Sequence, residues 1–199
     1  MTQLPQVVKD PDSVYALVLA AGRASRFGST KQTAEFNGVP LVRRAVAAAN
    51  QVCGDCTVLV TGHDAGAVAA ACEPMRGTTV FNENFSDGLG SSIACGVRAV
   101  RDTADAVLIL LADQPLVTAG HIQALVHAWL EGSAEIVATS FAGTQGPPVL
   151  FGKKCFDALC DLTGDAGAKS LFNDQRYALK AVPFEPAAID VDTPGDLNW

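Results

Sequence analysis

The chain has 199 residues, 49% of them hydrophobic and 18% charged, with a formal charge of -7. That length suits one large domain with a substantial core, and that composition excludes an intrinsically disordered chain. The acidic balance argues against a broad nucleic-acid surface, which needs a basic face, and no run approaches the ~18 apolar residues of a membrane span.

Residues 1–12 are polar, carry Pro5 and Pro11, and read as a flexible arm ahead of a single domain over 13–199. The arm lacks a charged segment followed by an apolar one, so it does not read as a signal peptide, and a cytoplasmic location is expected. Val14 to Ala20 is a near-continuous apolar run, as in a strand buried on both faces of a parallel sheet. A helix is predicted over Pro40–Gln51, a strand over Thr57–Thr61, a helix over Ala65–Cys72, a strand over Thr78–Phe81 and a helix over Ser91–Arg101 with Ser91 as N-cap. Ala106–Ala112 is the strongest strand signal, followed by a helix over Ala119–Leu130 and a strand over Glu135–Ser140. Beyond Phe141 the pattern loosens. A short strand at Val149–Phe151, a helix at Lys153–Asp161, a turn at Gly164–Gly167 into another helix, and closing strands at Leu179–Pro183 and Ala188–Val191 are expected. The alternation of strand and helix means an α/β fold with a mostly parallel sheet and right-handed crossovers.

In such sheets ligands sit beyond the carboxyl ends of the strands, so the segments following the strands are the ones to read for chemistry. After the first strand, Gly22 opens a loop with Arg23, Arg26 and Lys31, and no Asp or Glu occurs between Asp12 and Glu35. This is a candidate polyanion cradle: arginine suits forked contacts to phosphate and lysine acts as a point charge. Two familiar phosphate loops are excluded, because Ala24 stands where a dinucleotide fingerprint needs glycine and Lys31 is not preceded by glycine as in a P-loop. Asn82–Ser92 is a glycine-serine loop running into a helix, suited to an anion or a base, and equally to a plain capped connection. Asp113 ends the most hydrophobic strand, and Asp190 and Asp192 share a face if their segment is extended. One or two such carboxylates with substrate phosphates are the usual magnesium donors; helix-cap and turn roles are the alternatives. Cys53 and Cys56 form a lone Cys-x-x-Cys pair ahead of a strand, without the second pair or the histidines of a zinc site, and read as reduced structural thiols. His63, His121 and His127 are not clustered at metal spacings, and none is expected to be catalytic.

Five fragments together carry a family resemblance. They are Leu19-Ala20-Ala21-Gly22 through Ser25, Arg26, Phe27 and Gly28 to Lys31; Gly88-Leu89-Gly90-Ser91-Ser92; Leu111-Ala112-Asp113-Gln114-Pro115; Gly164-Asp165-Ala166-Gly167-Ala168; and Asp190-Val191-Asp192-Thr193-Pro194. In this order they resemble the nucleotidyltransferases of molybdenum cofactor synthesis, the cytidylyltransferases in particular, over nearly everything from Tyr15 to Leu197. The resemblance implies a GT-A-like three-layer α/β sandwich with helices on both faces of the sheet, and magnesium-dependent transfer of CMP from CTP to the phosphate of molybdopterin or its molybdenum form. It implies catalytic roles for Arg26, Lys31 and Asp113, and nucleotide binding by Leu19, Ala20, Ala21, Gly22, Ser25, Arg26, Gly28, Lys31, Gly88, Ser91 and Ser92. Asp113 and Asp192 would bind the metal, and Gly146, Pro148, Gly164, Asp165 and Gly167 the acceptor. Ala21 matches the cytidine-using version, where guanosine-using relatives carry a second glycine. Departures are Thr30 where a proline is common, Gly146-Pro147-Pro148 for a common Gly-His-Pro, and Lys169 for a common arginine. The partners implied are a nucleotide and a phosphorylated pterin-type acceptor, with transient contact to a molybdoenzyme or its chaperone, and neither nucleic acid nor membrane. Rival readings are transfer to a sugar or isoprenoid-precursor phosphate, a nicotinamide-dependent reductase of a quinone-like heterocycle, and a non-catalytic cofactor carrier.

Overall fold

Strand β1, Val14–Ala20, is buried throughout except at Tyr15, which is half-buried. The computed structural model describes residues 9–23, 27, 30–165 and 167–197, and β1 lies inside its main sheet. After β1 come a small hairpin of β2 (Glu35–Phe36) and β3 (Val39–Pro40), helix α1 (Leu41–Cys53), β4 (Thr57–Thr61), α2 (Ala65–Cys72), β5 (Thr78–Phe81) and α3 (Leu89–Val100). Then follow β6 (Ala106–Leu111), α4 (Ala119–Glu131), β7 (Ile136–Phe141), β8 (Thr144–Gly152), α5 (Phe156–Cys160) and β9 (Leu179–Pro183). The sheet order is β5-β4-β1-β6-β8-β7-β9. All neighbours are parallel except β8, which runs antiparallel to both β6 and β7.

Period-two alternation along the strands builds two apolar layers. Ala16, Val18, Leu108 and Leu110 face α1, α2 and α4, whereas Leu17, Leu19, Val107 and Ile109 face α3 and α5. This is the expected three-layer sandwich of the GT-A-like nucleotidyltransferase fold. A third cluster of Phe27, Phe36, Leu41 and Val191 binds the β2–β3 hairpin to the C-terminal segment.

Several boundaries differ from the sequence expectation. The strand expected over Val149–Phe151 is the end of the much longer β8. Its pairing with β7 shifts register between Ala138 and Thr139, opposite a Gly146-Pro147-Pro148 stretch whose prolines cannot donate to a ladder. Helix α3 begins at Leu89 with Gly88 as N-cap, so Ser91 lies inside the first turn and does not cap it. The helix expected over Lys153–Asp161 shortens to α5 behind a 3-10 turn, and the helix after Gly167 is a 3-10 run over Ala168–Asn173. Ala188–Val191 is not a strand: a 3-10 turn spans Glu185–Ala188, and the Val191 N–H donates to the Asp113 carbonyl at 3.0 Å. The β2–β3 hairpin lies outside the predicted elements, although Asn37-Gly38, both at positive φ, is a strong two-residue hairpin signal. Of the expected arm, residues 1–8 lie outside the described residues. The stretch behind them is tied down by Lys9, whose Nζ donates to the Trp129 and Gly132 carbonyls and lies 4.6 Å from the Trp129 ring centroid.

Candidate active site

From β1 the chain passes to β4 and β5 on one side and then to β6 on the other. The crevice beyond the carboxyl ends of β1 and β6 is therefore the topological switch point, where open α/β sheets bind ligands. Lys31 sits there on a 3-10 turn, Lys31–Thr33, held by Thr33 N–H to the Thr30 carbonyl and Ala34 N–H to the Lys31 carbonyl, both at 3.0 Å. Its Nζ donates to Asp113 Oδ2 and to Asp192 Oδ1, each at 2.9 Å. Burial alone would depress the Lys31 ammonium; Asp113 and Asp192 outweigh it, and the pKa is raised above the ordinary lysine value.

Each partner arrives by a different route. Asp113 follows β6, and its backbone carbonyl accepts the Val191 N–H, which brings the C-terminal segment across the strand end. Asp192 is then set by Asp196, whose Oδ2 accepts from the backbone N–H groups of Asp192 at 3.0 Å and Thr193 at 2.7 Å and from the Thr193 hydroxyl at 3.0 Å. Those bonds hold the Asp196 carboxyl below the usual carboxylate range. The segment itself is anchored by Val191, fully buried against Phe27, Phe36 and Leu41. Asp190 is exposed.

A cleft of about 220 Å³ lined by Gly22, Lys31, Gln32, Leu89 and Asp113 opens beside this cluster. Its rim is tied to the sheet. Gln32 Nε2 donates to the Gly22 carbonyl at 2.7 Å, the His63 N–H to the Ala21 carbonyl at 3.1 Å, and the Thr30 hydroxyl to Asp64. Leu19, Ala20 and Ala21 are buried; Leu19 lines the cleft, while Ala20 belongs to the core facing α1 and α2. Ser25, Arg26 and Gly28 lie outside the described residues. Arg23 is turned onto the Phe85 ring, 5.3 Å from its centroid.

Gly88 holds φ 96° and ψ -173°. A Cβ there would overlap Asp165 Oδ1 and the Gly164 backbone, and the Gly90 N–H donates to the Gly164 carbonyl at 2.9 Å. The glycine-serine loop and the Gly164-Asp165 turn are therefore packed together, and Leu89 and Asp165, one from each, line a second cavity of about 340 Å³. Asp165, Gly167, Lys169 and Pro147 line that cavity, and Leu19, Leu89 and Leu111 are shared with the first. Gly146 lies within reach of Lys169, whose Cε would stand 3.6 Å from an added Cβ. Pro148 is buried with its carbonyl turned to Thr139, and Pro147 forms the wall instead. Ser91 and Ser92 are engaged internally. Asn82 Nδ2 donates to both hydroxyls, at 2.9 and 3.1 Å, and Ser91 Oγ lies 2.8 Å from the carbonyls of Asn84 and Gly88.

Three supports of the site have roles that the sequence does not announce: Asp196, Gln114 and the His121–Thr139 pair. Gln114, buried next to Asp113, donates from Nε2 to the carbonyls of Pro147 at 3.1 Å and Ala187 at 2.9 Å. The Thr139 hydroxyl donates to the Pro148 carbonyl at 2.6 Å, so His121 Nε2, 2.8 Å from Thr139 Oγ1, must carry its own proton. A buried polar residue after a strand-ending Asp, and an Asp four residues after Asp192, were the available signals. The Cys53 thiol is pushed up to about 12 by burial, which suits a structural thiol rather than a redox or metal-binding one. Among the described residues no group of three or more His, Cys, Asp or Glu side chains is gathered as a metal cage. A metal shared with substrate phosphates needs only one or two carboxylates. Asp113 and Asp192 converge on one cationic point, and Asp113 Oδ1 is buried without a hydrogen-bond partner among the described residues. This hard-oxygen pair fits a small divalent ion.

No helix among the described residues is long and apolar enough to cross a membrane. The chain is 34% identical to the purine catabolism protein PucB of Bacillus subtilis over 120 residues, 58% of this chain and 57% of that one, so the match spans little more than half of that relative. It is 29% identical to nicotine blue oxidoreductase of Paenarthrobacter nicotinovorans over 197 residues, covering 92% and 94% of the two chains. The structure superposes on Rv0371c of Mycobacterium tuberculosis with a TM-score of 0.77 at 26% identity, over 92% of this chain and 95% of that one. That protein has also been solved in complex with manganese (TM-score 0.75, 25% identity, the same coverage). The sequence profile of the MobA-like NTP transferase domain matches residues 16–181. With that match over most of its length, and a strand-end cluster of lysine and carboxylates beside a glycine-opened loop, this chain belongs to the MobA-like NTP transferase domain family.

Proposed function

We propose that this nucleotidyltransferase-family chain moves CMP from CTP to the phosphate of a pterin-type acceptor, molybdopterin or its molybdenum form, and releases pyrophosphate. The observation that carries the reading is the meeting of Lys31 with Asp113 and Asp192 at the switch point of the sheet. An acceptor phosphate oxygen forms a bond to the α-phosphorus as the bond to the pyrophosphate oxygen breaks, with no covalent enzyme intermediate. Catalysis of this kind is positioning and charge neutralisation. Lys31 and Arg26 neutralise the triphosphate and the departing pyrophosphate, and the backbone amides of the Gly22 loop contribute further donors. Asp113 and Asp192 would hold a magnesium ion, which supplies further neutralisation of phosphate charge when bound. Ser91 and Ser92 act on the nucleotide through the shape of the loop that Asn82 holds. The acceptor enters the 340 Å³ cavity bounded by Pro147, Asp165 and Gly167, and Gly146 and Gly164 act as the chain neighbours of Pro147 and Asp165. The choice of CTP rests on Ala21, whose buried methyl stands where guanosine-using relatives carry glycine. The enzyme works in the cytoplasm and passes its product to a molybdoenzyme or a chaperone of one.

A thermal-shift panel of CTP, GTP, ATP and UTP with magnesium tests the donor. A nucleotide at a hundred times its Kd stabilises by about 2.7 kcal/mol. For a chain of this size that is roughly 5–10 °C in Tm, expected for CTP alone. No response to any nucleotide would overturn the reading. The full-length likeness to nicotine blue oxidoreductase favours a second reading, nicotinamide-dependent reduction of a quinone-like heterocycle. Oxidation of NADH or NADPH with no pyrophosphate release from CTP would select it.

A further inference from the structure

We infer that Lys31 is the resident cation of the metal position in the unliganded protein, and that it keeps bare divalent ions out until an anionic nucleotide draws it away. The inference rests on the metal reading proposed above. One atom, Lys31 Nζ, lies 2.9 Å from an oxygen of each of the two carboxylates that would hold the ion. The Lys31 side chain is only 11% exposed, so its ammonium stands between the carboxylates and not out in solvent. Its backbone is fixed on the 3-10 turn, and Gln32 Nε2 clips the next residue to the Gly22 carbonyl at 2.7 Å. The ammonium can therefore leave by rotation of its four-carbon stem, without unfolding the turn.

Two consequences follow. A bare ion must displace a cation that is already tethered in place and loses no translational freedom by staying. A nucleotide triphosphate offers the same ammonium several phosphate oxygens in the cleft lined by Gly22, Lys31 and Asp113, and its binding uncovers both carboxylates. Nucleotide and metal are then positively coupled, and the coupling is reciprocal. If the lysine leaves the carboxylates in no more than about a tenth of unliganded molecules, bare-metal affinity is about tenfold or more below that of the open site.

The test is a titration of the intact chain with Mn²⁺ alone, the free aquo ion being counted by electron paramagnetic resonance, on wild type, Lys31→Met and the double variant Lys31→Met/Asp113→Asn. Circular dichroism confirms that each variant is folded, and Lys31→Gln replaces Lys31→Met if that one is not. The expected result is that Lys31→Met binds one Mn²⁺ at least about tenfold more tightly than wild type, and that the double variant loses it. Wild type binding bare Mn²⁺ as tightly as Lys31→Met would overturn the gating role and leave the metal reading standing. Failure of all the folded proteins to take up Mn²⁺ would overturn the metal reading and this inference together.

Discussion

His121 offers a sharp test of how the Pro147-Pro148 wall of the 340 Å³ cavity is held. The imidazole is 5% exposed, stacks on Phe184 with ring centroids 4.2 Å apart, and meets Thr139 Oγ1 at 2.8 Å. Because the Thr139 proton goes to the Pro148 carbonyl, the neutral ring with hydrogen on Nε2 satisfies the network. Burial lowers the His121 pKa to about 4 from an ordinary 6.5. Below pH 6.5 the unfolded chain takes up a proton that the folded chain refuses until about pH 4, so stability falls as pH falls through that window. Between pH 7.5 and 4.5 the two protonation curves differ by a little under two pH units, which amounts to roughly 2.5 kcal/mol. The assay is urea unfolding at both pH values for wild type and for His121→Gln, which cannot ionise. Subtracting the two pH effects removes the carboxylates common to both proteins. The expected remainder is about 2–3 kcal/mol of extra acid sensitivity in wild type. Parallel pH profiles for the two proteins would refute the buried, neutral assignment.

The other predictions concern the strand ends. Lys31→Ala should lower the rate of pyrophosphate release by roughly 10²–10³ while far-UV circular dichroism stays native, by analogy with removal of an oxyanion donor. Asp196→Ala removes three hydrogen bonds that set Asp192, so divalent-metal affinity in the presence of nucleotide should drop about 10–100-fold with little change in Tm. Gly88→Ala should cost about 2–4 kcal/mol, from a φ of 96° that only glycine tolerates and from overlap with Gly164 and Asp165. A fall of about 10 °C in Tm is the expected readout. Gly66→Ala is its control: Gly66 lies in α2 with open space around it, and alanine there should be neutral or stabilising by up to about 1 kcal/mol.

Features that depend on a few neighbouring residues were legible without coordinates. The predicted limits of β1, β4, β5, β9 and α2 match the observed ones; for the central strands β1 and β4 the reason is that burial on both faces of a sheet leaves its mark on nearly every residue. The strand-helix alternation was enough for the α/β class, and glycine with clustered cations after β1 marked the loop that borders the cleft. Less was legible where backbone pairing and local pattern disagree. Gly146-Pro147-Pro148 broke the apolar period of β8, so a nine-residue antiparallel strand looked like a short one. Ser91 looked like a helix cap, but the helix starts two residues earlier with Gly88 as N-cap, and Asn82, nine residues before Ser91, donates to its hydroxyl. What only the tertiary structure decided is the company that Lys31 keeps. Asp113 and Asp192 stand 82 and 161 positions further along the chain. No local periodicity records that separation. It is settled by the order of strands, which puts β1 beside β6, and by the packing of Val191, which carries Asp192 back over both. The residues were chosen by the sequence for charge and size, and their meeting at one point is a property of the assembled sheet.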